Sequence, residues 1–356
     1  MKQLKALLFL LMLVSLAVAA CAPVTPVPIA SEPAVAPATE AATEAATELV
    51  PVKIATLNFM SNSPIFLAKE LGLFEAQGLD VELVSFGTDS SQILPAVLAG
   101  QVDVALTSMS TGLINAVVQG GDIRAVADKG FIDPDAACTL DAWVARTELL
   151  ESGKLDDPEF IKTLTLTMAV GSIQELTTDR LLERMGLTQA DVSSVELRDF
   201  GSRIEAMREG TLDIAPSTEP WITRAKKEGV ADIWVPFADL FPGLSLGHIV
   251  YGPTMLARTD DVPVRFMAAY LNGVRRLNEG KTDEHVSILA EATQSEPDEV
   301  RAMCWPSFRK DGMIDLDALQ EFQDWALAKG YLDSVVPPEQ FWDPSYIEQA
   351  LPLLDQ

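Results

Sequence analysis

Histidine and cysteine are scarce in this 356-residue chain, with two of the first and three of the second. His248, His285, Cys21, Cys138 and Cys304 form no close cluster in sequence, which argues against a structural zinc site with its converging nitrogen and sulfur ligands. Neither histidine lies near a nucleophile motif, so Ser–His–Asp catalysis is not supported. A phosphate-cradling glycine loop is also missing. Positive charge is short as well: 26 Lys and Arg stand against 52 Asp and Glu, for a net charge of −26. A chain without a basic footprint is a poor candidate for nucleic-acid binding. The acidic surplus favours solubility and says little about fold.

The N-terminus carries a different kind of signal. Lys2 and Lys5 precede the apolar run Ala6 to Ala20, which is too short and wrongly flanked for a membrane span and reads as a secretory signal over residues 1–20. Its end, "VAAC", resembles a bacterial lipobox. That resemblance implies cleavage before Cys21, which is lipidated, with palmitate, and becomes the mature N-terminus; a signal anchor or an ordinary signal with a chance cysteine are the alternatives. Residues 21–50 are dominated by Pro, Ala, Thr and Glu and read as a disordered leash. Losing Lys2 and Lys5 takes the net charge from −26 to −28. Outside the cytoplasm Cys138 and Cys304 are either a disulfide or two buried thiols, and spacing leaves both open.

Beyond residue 50, strand and helix patterns alternate. "VKIATL", "LDVELVSF", "VDVALT" and "IRAVAD" read as strands, with helices through "PIFLAKEL", "SQILPAVLA" and "TGLINAVVQ" between them. Ser63 suits an N-cap and Pro64 the first helical position, while Pro95 is expected to interrupt or kink its helix. A second series follows "LDAWVART": "TLTMAV", "SSVELRDF", "LDIAPS" and "DIWVPF", again separated by helices. Two similar α/β lobes of mostly parallel sheet are expected, over residues 51–143 and 144–249. Residues 250–356 return to the first lobe and continue as helices at Val264–Glu279, Glu284–Gln294, Glu299–Met303 and Leu316–Lys329. His285 reads as a surface residue of one of them.

The two series share a repeat. "AVLAGQVDVALTSMSTGLI" (Ala96 to Ile114) and "AMREGTLDIAPSTEPW" (Ala206 to Trp221) align at an offset of 110 residues, with Ala96/Ala206, Gly100/Gly210, Asp103/Asp213 and Ala105/Ala215 identical. Gly100 and Gly210 read as helix ends, and the two aspartates as turn or surface carboxylates. The loops that follow, at the carboxyl ends of parallel strands, are where open α/β sheets hold ligands. Helix N-termini there offer unpaired N–H donors. Two such rims would face one cleft.

At these residues the chain resembles the periplasmic binding proteins for nitrate, sulfonate, taurine and thiamine-pyrimidine precursors. "SNSPIFLAKELGLFEAQGLDVELVSFG" and "LPAVLAGQVDVALTS" are similar to that family's first-lobe segments, and "DIAPSTEPW" to its second-lobe segment. The tail from Cys304 to Leu351 resembles the riboflavin-binding branch. The resemblance implies a type II two-lobed fold that captures a small-molecule solute for an ABC importer permease. It implies a monomer without cofactor, tethered by lipid to the extracytoplasmic face of the membrane.

The candidate ligand residues are Asn58, Phe59, Ser61 and Asn62 from the first loop, and Thr107, Ser108, Ser110 and Thr111 from the second. The other lobe offers Ser217, Thr218, Glu219 and Trp221, with His248 and Tyr251 on the return crossover. Amides, hydroxyls and aromatic faces suit an uncharged heteroaromatic ring. An anion would want a rim cation, and Arg203 is the one obvious candidate. Among the solutes of the families it resembles, that resemblance makes riboflavin the expected one, ahead of a thiamine pyrimidine precursor or a sulfonate or nitrate anion. Phe59 and Trp221 also read as core, and Glu219 as a helix cap. A pyrimidine-synthesising enzyme of the same fold lacks its His/Cys cluster here, while a tethered sensor would share the same pocket.

Overall fold

The computed structural model describes residues 48–88 and 90–354. The expected signal sequence, lipidated Cys21 and nearly all of the leash lie outside the described residues. Ten strands build two sheets. β1 (Val50–Thr56), β2 (Leu79–Ser85), β3 (Val104–Ser108), β4 (Arg124–Asp128) and β10 (Gly247–Tyr251) form the first, in the order β2-β1-β3-β10-β4. β5 (Asp141–Arg146), β6 (Thr165–Thr167), β7 (Ser193–Val195), β8 (Ile214–Thr218) and β9 (Ala231–Pro236) form the second, in the order β7-β6-β8-β5-β9.

Each sheet is mostly parallel with one reversed strand. β10 runs antiparallel between β3 and β4, and β5 runs antiparallel between β8 and β9. These are the two strands on which the chain crosses from one lobe to the other. The expected lobe boundaries, after residues 143 and 249, fall inside β5 and β10. Periodicity marks a strand but not the sheet it joins, and here each crossing strand belongs to the lobe it enters.

The repeat has an architectural meaning. β3 and β8 begin and end 110 residues apart, and the helices after them, Thr111–Val118 and Trp221–Lys227, start at the same offset. Asp103 and Asp213 do the same job in both lobes. Asp103 Oδ2 accepts from Lys53 N at 2.7 Å while its own N–H donates to Lys53 O at 2.8 Å. Asp213 repeats this with Thr165, at 2.8 and 2.9 Å. Their second oxygens take Thr254 Oγ1 and Arg146 Nε. Each carboxylate fastens the start of a central strand to its neighbour, at the sheet end away from the cleft.

The C-terminal helices complete the first lobe. Helix Val262–Leu277 lies against helix Ser63–Glu70, where a Cβ at Gly273 would come within 2.2 Å of Pro64 O. Phe266 stacks on Phe74 at 5.3 Å. Two details differ from expectation near these elements. Ser63 is the first helical residue and donates its hydroxyl back to Met60 O, and Pro95 sits in the first turn of Ile93–Leu98, where a missing N–H costs nothing. His285 is buried, its Nδ1 within 3.0 Å of Gly280 O. Among the described residues, no helix is long and apolar enough to cross a membrane.

The crossings themselves form a laced hinge. Leu246 N donates to Gly130 O, Ile132 N to Leu244 O and Gly243 N to Ile132 O, at 2.7–2.9 Å. A third segment joins them, with Phe131 N donating to Ser307 O at 3.1 Å. Cys138 and Cys304 are disulfide-bonded, which ties that segment to the crossing and resolves the alternative left open above.

Candidate functional site

The loops after β1, β3, β6 and β8 meet at the space between the sheets, and the lobes touch there. Thr111 N donates to Gly171 O at 2.8 Å, Ile173 N to Met109 O at 3.1 Å, and Met60 N to Glu219 O at 3.3 Å. Phe59 meets Phe200 edge to face at 5.1 Å, and Thr88 hydrogen-bonds Asp199. Gly171 is required at its position. Its φ is +72°, and a Cβ would lie 2.5 Å from Thr111 Oγ1 of the opposite lobe.

Within the first lobe's rim, Asn58 Oδ1 accepts from Ser85 Oγ at 2.9 Å, and Ser61 Oγ accepts from Lys129 Nζ at 2.9 Å. Asn62 is fully buried; its Nδ2 donates to Leu57 O at 2.6 Å, and its Oδ1 has no partner among the described residues. Thr107 and Ser108 end β3, and Ser110 Oγ caps the next helix at Leu113 N. From the second lobe, Ser217 and Thr218 are buried on β8. Glu219 caps helix Trp221–Lys227 through Thr223 N at 3.0 Å and Thr223 Oγ1 at 2.8 Å, and also accepts from Cys304 N at 3.4 Å. Burial raises its pKa. Trp221 is half-buried beneath Arg224, whose guanidinium lies 4.9 Å from its ring, and its Nε1 has no partner. Asn58, Trp221 and Asp199 line an opening of about 380 Å³ at the rim.

The two crossover candidates lie elsewhere. Tyr251 ends β10 opposite Val104, the first residue of β3, so it stands at the far end of the sheet from the cleft. It is fully buried and donates to Pro263 O at 2.6 Å, which makes it a core residue and not a ligand contact. His248 starts near the rim but is fully buried, with its ring edge on Phe341 at 5.2 Å and both nitrogens unpartnered. Burial first, and then the charge of Lys129, hold its pKa down at about 3, so the ring is neutral.

Two charged residues absent from the sequence reading lie at the rim ends of β4 and β5. Lys129 follows β4 directly and is 2% exposed. Burial lowers its pKa to about 8, against the raising effect of Asp141 and Asp128. Asp141 opens β5 opposite Thr218, and its Oδ2 is buried with no partner among the described residues. Burial raises its pKa to about 7. Lys129 was legible, because it sits at the carboxyl end of "IRAVAD" as the other rim residues do on their strands. Asp141 was not, because only a reversed strand brings its first residue to the rim.

Arg203 is not offered to a solute. Its Nε donates to Leu197 O at 2.8 Å, Nη1 to Pro216 O at 2.7 Å and Nη2 to Gln174 Oε1 at 2.8 Å. Lys129 thus replaces it as the cleft cation, and the expectation that the other rim loops carry none is corrected.

A clasp outside the cleft also joins the lobes. Helix Ile173–Arg184 of the second lobe presents Glu175 and Asp179 to the segment after helix Leu316–Ala328 and to that helix itself. Trp325 Nε1 donates to Asp179 Oδ2 at 2.8 Å, Tyr331 Oη to Glu175 Oε1 at 2.9 Å, and Lys329 Nζ lies 2.7 Å from Asp179 Oδ2. Asn115 of the first lobe holds the same segment through Tyr331 O at 3.1 Å. A hydrogen bond to a charged group contributes about 1.5–3 kcal/mol, so removing one shifts a closure equilibrium about ten- to a hundredfold. Trp325→Phe is expected to enlarge the radius of gyration in small-angle scattering through a larger open population. An unchanged radius would show that the bond has no share in closure.

Comparison with known proteins places this geometry. A family model described as NMT1/THI5 like matches residues 60–279. The putative binding protein YtlA of Bacillus subtilis (strain 168) is 21% identical over 290 residues, spanning 80% of this chain and 83% of its own length. The ligand-binding component of an ABC-type import system from Staphylococcus aureus, with zinc bound, matches with a TM-score of 0.71 and 18% identity, over 85% of this chain and 99% of that one. The alkanesulfonate-binding protein SsuA from Xanthomonas axonopodis pv. citri, bound to MOPS, matches with a TM-score of 0.67 and 18% identity, over 83% and 99%. The architecture is the two-lobed periplasmic-binding-protein fold.

Proposed function

Because the chain belongs to the NMT1/THI5-like family, we propose that it captures a small, uncharged heteroaromatic solute between its lobes and delivers it to an ABC importer permease. It acts as a monomer without a cofactor, tethered through acylated Cys21 on the extracytoplasmic face, and turns over no substrate. The single observation that carries the solute class is the pair of buried acceptors without donors, Asn62 Oδ1 and Asp141 Oδ2. An unmet buried acceptor costs about 1–3 kcal/mol, and a solute N–H would remove that cost. Phe59, in the same loop as Asn62, and Phe200 across the cleft supply aromatic surface.

Charge favours an uncharged solute over an anion. Lys129 faces Asp128 and Asp141, Arg309 Nη1 lies 3.5 Å from Asp128 Oδ2, and Glu219 adds a further carboxyl near Asp141. A nitrate or sulfonate would enter a site whose cations are already balanced.

Riboflavin remains the first solute to test, with 4-aminopyrimidine and ethanesulfonate beside it. Titration of the purified mature domain, followed by tryptophan and flavin fluorescence, is expected to show quenching at micromolar riboflavin or a response to the aminopyrimidine. A response to ethanesulfonate alone would overturn the heteroaromatic reading.

A further inference from the structure

Lys129 and Asp141 come from different lobes, on either side of the hinge; Lys129 is buried, and Asp141 is half-buried with its Oδ2 out of solvent. Lys129 leaves the end of β4, and the one hydrogen bond of its ammonium among the described residues goes to Ser61 Oγ at 2.9 Å, leaving two ammonium N–H groups uncommitted. Asp141 begins β5, with Thr218 as its cross-strand neighbour, and its Oδ2 has neither solvent nor a donor. Each feels the other's charge, yet no direct ion pair joins them among the described residues. Two opposite charges buried close together but unpaired are costly, unless something between them takes a hydrogen bond from one and gives one to the other.

Both neighbours of the couple, Ser61 and Thr218, belong to the rims that meet when the lobes close. Asp128 and Arg309 do not compete for it. Asp128 is occupied by Ser245 Oγ at 3.0 Å, Gly130 N at 3.1 Å and the Arg309 guanidinium.

We propose that Lys129 and Asp141 are the specificity-determining couple of the cleft, reading a solute edge on which an N–H stands beside a lone-pair acceptor. Lactam, imide and amidine edges of heterocycles have that arrangement; a ring without the N–H, or with it methylated, does not. The couple rests on the heteroaromatic reading above and narrows it to one edge pattern. It also makes recognition dependent on closure, because the donor and the acceptor are brought within reach of one ring only when the lobes meet.

The test uses the mature protein with two matched probe pairs: riboflavin against 3-methylriboflavin, and 4-aminopyrimidine against 4-(dimethylamino)pyrimidine. Calorimetric affinities are compared for wild type, Lys129→Met, Asp141→Asn and Asp141→Ala, with melting temperatures recorded for all. The wild type is expected to prefer the unmethylated member of a pair at least tenfold. Asp141→Ala should abolish that preference, and Lys129→Met should weaken both members alike. Equal affinity for both members in the wild type overturns the proposal. So do variants that melt lower but keep the preference, since the couple would then be structural. If the wild type binds no member of either pair, the heteroaromatic reading fails and the proposal fails with it. Should Asp141→Ala not fold, the isosteric Asp141→Asn decides by the same preference.

Discussion

Replacing Cys138 and Cys304 together by serine is expected to cost about 5 kcal/mol of stability, by the chain-entropy estimate for a large closed loop. The bridge spans 166 residues of sequence, so its loss frees a denatured chain that was tied across its whole second lobe. The native state loses something too. The crossing around Phe131 and Ile132 is laced to Leu244 and to Ser307, and the disulfide holds the outer segment in that ribbon. The check is urea unfolding of the double variant beside the wild type with and without reductant, which should coincide when the wild type is reduced. A loss below about 1 kcal/mol would show that the tie contributes little beyond the backbone lacing.

Arg203→Met is expected to cost about 3–5 kcal/mol, the range for removing one partner from a buried charged arrangement. Arg203 is 2% exposed and donates from each of its three nitrogens, so its loss strips that donor from Pro216 O and Gln174 Oε1 and leaves Leu197 O only the 3.4 Å bond from Thr167 Oγ1. It also lies 4.3 Å from the ring of Phe200, which meets Phe59 across the cleft. The variant should therefore unfold at lower urea and also close less completely. Arg203→Lys keeps a charge but cannot span three acceptors and should recover only part of the loss. Unfolding within 1 kcal/mol of wild type would contradict the bonding described here.

Much of the scaffold was readable. The C-terminal helices fall within two residues of expectation at their starts, Val262 for Val264 and Asp283 for Glu284, because each carries an apolar face, with Pro263 in the first turn of one and Thr282 capping the other. The 110-residue echo located matching strands and matching helix starts in both lobes. The site was readable only in outline. Its loops were found because they follow parallel strands, but Tyr251 was misplaced and Asp141 overlooked for the same reason. Both lie on crossing strands that run backwards, so the rim is at the beginning of the strand and the far end is where Tyr251 stands. Cys138 and Cys304 could be counted but not joined.

What local order dictates is therefore the alternation of strands and helices, the duplicated unit, and the scarcity of groups that zinc or triad chemistry would need. Those follow from side-chain periodicity and composition, which are properties of short windows. Folding in three dimensions set the rest: the direction of two strands, the disulfide, the burial of Lys129 beside an unpaired Asp141, and the engagement of Arg203 within its own lobe. Each depends on contacts between residues far apart in the chain, and no window of sequence contains them.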